Sequence, residues 1–182
     1  MSSGRRPGLS VNETDPSLVI ELRIETSRAL LSAYDAGDLD AAIVLRVDRR
    51  RGDGEVPMEE SFGWMGVPDF RHAPGEPLRL AAQSAPCTVR SAAIEALDRA
   101  GIPWTEAFVG GGVATIGAAI SAGLAVGALV RRVAPAGTID LGPRLGLPTL
   151  QDAETMLHSN PTDAGARGAL RTLGAAFRAG AS

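Results

Sequence analysis

From Ala107 to Val130 the chain reads AFVGGGVATIGAAISAGLAVGALV, carries no charge, and stops against Arg131 and Arg132. A run this apolar has to lie in the middle of something, either a bilayer or a protein core. Its length allows a membrane span, since about 20 apolar residues cross a bilayer, and Gly123 and Gly127 supply a GxxxG spacing. The glycines argue the other way, because each one inside a helix costs about 1 kcal/mol relative to alanine, and three are consecutive at Gly110–Gly112. The run also divides naturally. Trp104–Val109 suits a short strand and Gly110–Gly112 a tight turn. Val113, Ile116 and Ile120 then mark one face of a helix over Val113–Ala122. Gly123 stands where a helix-ending glycine belongs, and Leu124–Val130 reads as a second buried strand. A β-α-β unit with covered parallel strands gives the same uncharged run without a membrane, and that is the expectation adopted.

The 182 residues suffice for one large domain or two small lobes. With 45% hydrophobic but only 4% aromatic residues, the core must be built from alanine, leucine, valine and isoleucine. A net charge of −3 gives no general reason to expect nucleic-acid binding. A single cysteine, Cys87, excludes an internal disulfide and fits a reducing cytoplasm. The N-terminal MSSGRRPGLSVNETD has no apolar signal region, and residues 1–15 are expected to be disordered.

Along the chain, Leu18, Ile20, Leu22 and Ile24 alternate with Val19, Glu21 and Arg23, which predicts a strand with one apolar face. Thr26 or Ser27 can cap the next helix, with Leu30, Leu31 and Tyr34 on its apolar side and Gly37 closing it. Ala41–Leu45 is a strand, making β-α-β. Arg46–Glu60 mixes both charge signs with glycine and proline and reads as a solvated loop, its Arg49–Arg51 triplet as a wet surface rather than a phosphate contact. Ser61–Val67 and Leu78–Ala82 are strands. A helix runs from about Cys87 to Ala100 with Ile94 and Leu97 buried and Gly101 beyond its end. After a short run at Gly137–Gly142, the segment PRLGLPTL is too rich in proline and glycine to be regular. Thr155–His158 is a last strand, and Thr162 or Asp163 caps a helix to about Ala179 with Ala166, Leu170, Leu173 and Phe177 on its apolar face. Alternating strands and helices predict α/β architecture with parallel sheets. The breaks near residues 46–60 and 143–152 look like two passages between lobes.

Catalytic and metal signatures are weak. GGGVAT at Gly110–Thr115 lacks the third glycine of a dinucleotide fingerprint and the lysine of a P-loop. Ser121 lies inside a helix, not on a nucleophile elbow. His72 and His158 have no carboxylate or cysteine at ligand spacing, so no metal and no cofactor is expected. Cys87, at a helix start, is a candidate reactive thiol, although a pocket-wall cysteine explains it as well. No catalysis is expected; an enzyme using Cys87 is the contrary hypothesis.

Three segments together resemble one family. DPSLVIELRIETSRALLSAYDAGDLDAAIV, PLRLAAQSAPCTVRSAAIEALDRAGIPWTEAFV and AAISAGLAVGAL, in this order, are similar to the effector-binding part of LysR-type transcriptional regulators, with Ala125 where the last signature has its second glycine. The similarity spans about residues 15–180. It implies two Rossmann-like α/β subdomains, as in type 2 periplasmic binding proteins, with a ligand cleft between them: residues 16–60 and 153–182 as subdomain I, and 61–152 as subdomain II. The family's winged helix-turn-helix, and the first strand and helix of subdomain I, have no counterpart in the sequence, so subdomain I is expected to be incomplete. The resemblance further implies a small polar or anionic effector, no direct DNA binding by this chain, and no membrane contact. It also implies a cytoplasmic homo-oligomer pairing through helices 27–36 and 88–100. A stand-alone binding or dimerisation module is the alternative. Carried over by position, Ser27 matches a hydroxyl residue facing the cleft, and Cys87, Thr88 and Val89 match the opposite wall. Gly111 falls where the family often has a polar residue, a departure that removes that side-chain contact. The bland reading of Ser27 and Thr88 is helix capping.

Overall fold

The computed structural model describes residues 19–46, 54–162 and 164–179, with the side chains of residues 55–57 and 176–179 outside the description. The chain runs α1 (Ser27–Asp35), β1 (Ala41–Arg46), β2 (Glu55–Glu60), β3 (Phe62–Gly66), β4 (Leu78–Gln83), α2 (Thr88–Arg99) and β5 (Trp104–Gly110). It continues through α3 (Val113–Ser121), β6 (Gly127–Val130), β7 (Ile139–Asp140), α4 (Gly142–Leu145), β8 (Ala153–Ser159) and α5 (Ala164–Ala179).

One sheet has the order β1-β8-β2, antiparallel throughout. A second has the order β6-β3-β7, also antiparallel, and β4 pairs with β5 in parallel. Val126, just ahead of β6, bridges Leu80 in parallel, with Ala81 N–H donating to Val126 O at 2.8 Å and Val126 N–H to Arg79 O at 2.9 Å. The β4–β5 pair and the β3 sheet therefore run into each other. The chain leaves the first sheet at Glu60, and it returns there at Ala153; these two residues are register partners, so both passages lie side by side.

The main core gathers Phe62, Trp64, Leu78, Leu80, Leu97, Val126 and Leu141, with Leu150 and Ala153 from the return passage. A second cluster sets Ile116, Ala119 and Ile120 of α3 against Met65, Ala81 and Leu129. Gly127 is required there: a Cβ would stand 2.7 Å from Ile120 Cδ1 and 3.1 Å from Ala81 O. On the first sheet the core is small. Leu30, Leu31 and Tyr34 of α1 pack on Ala42, Val44 and Met156.

Helix limits follow local chemistry. Thr26 caps α1, its hydroxyl accepting from Ala29 N–H at 3.3 Å, and Gly37, Gly101 and Gly123 follow α1, α2 and α3 with φ of 82°, 67° and 70°, the left-handed geometry that glycine adopts without strain.

Several expectations need correction. Residues 19–24 form no strand and their apolar side chains are exposed; alternation creates an apolar face, but a strand exists only where another segment accepts its hydrogen bonds. Leu18 and residues 1–15 lie outside the described residues, as do Arg49–Arg51 and Asp163. The supposed loop up to Glu60 ends in β2, which pairs with β8, and the buried charge of Glu60 is met by Arg132. PRLGLPTL begins in the short helix α4, where Pro143 occupies a first-turn position that needs no N–H and Gly146 closes the turn at φ 64°. Among the described residues, parallel pairing is confined to β4–β5 and the Leu80–Val126 bridge. β5 is an edge strand with largely exposed side chains, not a covered one, and Val113 and Leu173 face outward; among the described side chains of α5, Ala169 is buried and Ala166 and Leu170 are half-buried, while that of Phe177 lies outside the description. Among the described residues, no helix is long and apolar enough to cross a membrane.

Candidate functional site

The parallel pair β4–β5 ends with Gln83 beside Gly110, and Ser84 N–H donates to Gly110 O at 3.0 Å, tying the two outgoing loops together. From this edge both α2 and α3 start. Cys87 occupies the N-cap position of α2 in extended conformation and caps nothing with its side chain; its thiol donates instead to Gln83 Oε1 at 3.3 Å. Thr88, the first helical residue, is exposed, so neither it nor Ser27 is the cap. Gly112 is the N-cap of α3. The Thr115 hydroxyl folds back on it, accepting from Gly112 N–H at 3.3 Å and donating to Gly112 O at 2.8 Å. Gly111 between them is exposed, with nothing near its Cα where a side chain would stand.

Two helix N-termini therefore share one rim at the carboxyl ends of two parallel strands. First-turn N–H groups lack intrahelical acceptors and carry partial positive charge, an arrangement suited to an anion. No acidic side chain sits in the first turn of either helix. Arg90, next along α2, is held by Glu106 of β5 at 2.6 Å, so it adds little net charge.

Below this rim lies a small, mostly apolar depression lined by Phe62, Val89, Ala92, Leu150 and Gln151. Val89 belongs to both features. The structure brings Cys87, Thr88, Val89 and Gly111 to one edge, and Val89 also lines the depression with Phe62, Ala92, Leu150 and Gln151. Phe62 was hidden in an ordinary apolar strand. Leu150 ends the segment PRLGLPTL, and Gln151 follows it.

Ser27 is placed differently. Its Oγ accepts from the backbone N–H of Leu45 at 3.1 Å, fastening α1 to the outer edge of β1. No hydrogen bond joins it to Cys87, Thr88, Val89 or Gly111 among the described residues. The hydroxyl proton stays available to a further acceptor.

Where the two passages meet, Arg132 donates to both carboxylate oxygens of Glu60, from Nε at 2.9 Å and from a terminal nitrogen at 2.5 Å, while the Thr155 hydroxyl donates to Glu60 Oε1 at 2.7 Å. Burial raises the Glu60 pKa, but the bonds from Arg132 and Thr155, with the Arg132 charge, outweigh it and hold the group below its usual range. Asp140 behaves alike. Burial raises it, while Gly142 N–H at 2.9 Å, the Arg131 guanidinium at 2.5 Å and Trp64 N–H at 3.0 Å lower it further. Among the described residues, no group of three or more His, Cys, Asp or Glu could hold a metal ion.

Residues 10–162 match the family model of the LysR substrate binding domain. The chain is 29% identical over 153 residues to the HTH-type transcriptional regulator PecT of Dickeya dadantii (strain 3937), a stretch covering 83% of this chain and 48% of that protein. The chain spans about half the length of this curated relative. Among solved structures, a mutant regulatory domain of HypT from Salmonella typhimurium superposes with a TM-score of 0.67 at 11% identity, covering 94% of this chain and 90% of that one. The CcmR regulatory domain of Synechocystis PCC6803, in complex with 2-PG, gives 0.60 at 13% identity, covering 88% and 84%. At such identities these likenesses show the fold alone.

Proposed function

The chain belongs to the LysR substrate-binding domain family, and on that footing we propose that it is the effector-sensing part of a transcription regulator, taking a small polar or anionic metabolite between two α/β subdomains. The fold is of the type 2 periplasmic-binding-protein kind. We take residues 16–60 and 153–182 as subdomain I and 61–152 as subdomain II, a division supported by the two side-by-side passages at Glu60 and Ala153.

The observation that carries the ligand reading is the shared rim of α2 and α3. An anion there would accept from first-turn N–H groups near Thr88 and Val89 and from the N–H groups of Gly111 and Val113, since that of Gly112 is taken by Thr115. Ser27 would donate its hydroxyl proton from the facing subdomain while still accepting from Leu45. Gly111 contributes backbone only. The PecT relative is named as a transcriptional regulator, and the CcmR domain was solved with 2-PG; both agree with a sensing role. This role involves no catalysis and places the protein in the cytoplasm, where the bound metabolite would alter an assembly of identical subunits.

Calorimetry with 2-PG and with inorganic phosphate tests the reading. The expected result is weak, saturable binding of at least one. Thr88→Ala removes a hydroxyl but keeps the backbone donors and should weaken binding by a few-fold, on the order of one lost hydrogen bond. Thr88→Trp should fill the rim and abolish binding without unfolding the chain, because the position is exposed. Failure of both probes to bind, or binding unaltered by Thr88→Trp, would sink it.

A further inference from the structure

Residues 19–25 carry the alternation of a strand with no strand beside them. Val19, Ile20, Leu22 and Ile24 are 88%, 64%, 77% and 81% exposed, and no backbone hydrogen bond reaches residues 19–25 among the described residues. Exposed apolar side chains on unpaired backbone ask for a partner strand. The order of the charges identifies which one.

Ile20-Glu21-Leu22-Arg23-Ile24 reads the same outward from Leu22 in polarity, with opposite charges at mirrored positions. We propose that two copies of this chain pair antiparallel through residues 20–24, with the twofold axis passing at Leu22. In that register Leu22 meets the partner's Leu22 and Ile20 meets the partner's Ile24, all on one face. On the other face Glu21 stands opposite the partner's Arg23, and Arg23 opposite the partner's Glu21. The contact is isologous, as a closed dimer requires.

Neighbouring registers fail. A slip of one residue sets the apolar side chains of one copy beside the charged ones of the other. A slip of two, centred on Glu21 or on Arg23, puts like charges directly opposite, which destabilises a pair. Parallel in-register pairing stacks Glu21 on Glu21 and Arg23 on Arg23. Over residues 20–24, only the antiparallel register centred on Leu22 satisfies both faces; beyond them Val19 falls opposite the partner's Glu25, so the ribbon ends at Ile24.

Sedimentation of the full 182-residue chain over a micromolar to sub-millimolar concentration series tests this, with far-UV circular dichroism confirming that each variant is folded. The wild-type chain should dimerise. Glu21→Arg alone, or Arg23→Glu alone, should weaken the dimer about tenfold, since each turns two attractive cross-strand pairs into repulsive ones. An equimolar mixture of the two variants should recover wild-type affinity, because one copy then presents only positive and the other only negative charges. A monomeric wild-type chain overturns the proposal. So does a monomer with residues 20–24 protected from amide exchange, which would mean that the chain's own preceding segment covers them. A dimer indifferent to both charge changes overturns it too, and points to the helical surfaces instead.

Discussion

Around β4 and β6, helices α2 and α3 bury Ala93, Ala96, Leu97, Ile116, Ala119 and Ile120 against strands whose own side chains include the fully buried Leu78 and Leu80. Around β1 and β8, helix α1 buries no residue completely and, among the described residues, the buried cluster is Ala42, Val44 and Met156. Helix α1 has the more sharply two-sided apolar pattern of the three, so helix patterning does not explain why the two regions differ. What separates them is the number of neighbours each sheet has. The β4–β6 region joins a second sheet through Val126, whereas β1 has β8 on one side and, on the other, among the described residues, no strand but a bond from Leu45 N–H to the Ser27 hydroxyl. Cohesion comes from occupied edges and covered faces together.

The largest expected effect lies in the better-covered region. Leu97→Ala removes a fully buried side chain and should cost about 3 kcal/mol, read from urea unfolding. Leu31→Ala, on the half-buried face of α1, should cost about 1 kcal/mol by lost apolar contact. Equal costs would erase the distinction between the two regions.

Where the regions join, the ion pair should come next. Glu60 is 2% exposed, so Arg132→Ala strands a buried carboxylate and should cost about 3 kcal/mol at neutral pH or somewhat less, since Arg132 keeps some solvent contact. Replacing both residues with leucine should recover most of that loss, because neither charge is then left unpaired. Acid should act on the same place. The pKa values of Glu60 and Asp140 are lowered in the folded chain, so the unfolded chain binds protons more readily. Their stabilisation is therefore complete above the ordinary carboxylate pKa, about 4, and disappears as pH falls through the folded values. Urea midpoints that do not fall below pH 4 would show that these contacts contribute nothing net.

The same contrast explains what could be read beforehand. Thr26, Gly37, Gly101 and Gly123 act within a few residues of the helices they delimit, so α1, α2 and α3 were legible to within a residue or two. Pairing is not local. Nothing in Glu55–Glu60 announces β8 as its neighbour, and nothing in residues 19–24 announces that no strand in the described chain will flank them. The candidate site divides the same way. Cys87 and Gly110–Gly112 were visible as turns between a strand and a helix. Phe62 and Gln151 reach Val89 only through the passage out along β3 and the return ahead of β8.

The smallest effect separates the two hydroxyl residues assigned to the cleft, one in each region. Ser27 accepts a hydrogen bond from Leu45 N–H across 18 positions of sequence. Ser27→Ala leaves that N–H without its acceptor on the outer edge of β1, at a cost of about 1 kcal/mol, which in a chain of this size lowers the melting temperature by about 3 °C. Thr88 is exposed and its side chain makes no hydrogen bond among the described residues, so Thr88→Ala should stay within about 0.5 kcal/mol of wild type. Both should weaken anion binding at the rim, Thr88→Ala through a lost ligand contact alone and Ser27→Ala through a lost contact together with a loosened α1. Differential scanning calorimetry with and without saturating inorganic phosphate reads both quantities. If Ser27→Ala melts with wild type and loses only the phosphate-dependent rise, its hydroxyl serves the ligand and not β1. If it melts early and keeps that rise, Ser27 fastens the helix and takes no part in binding.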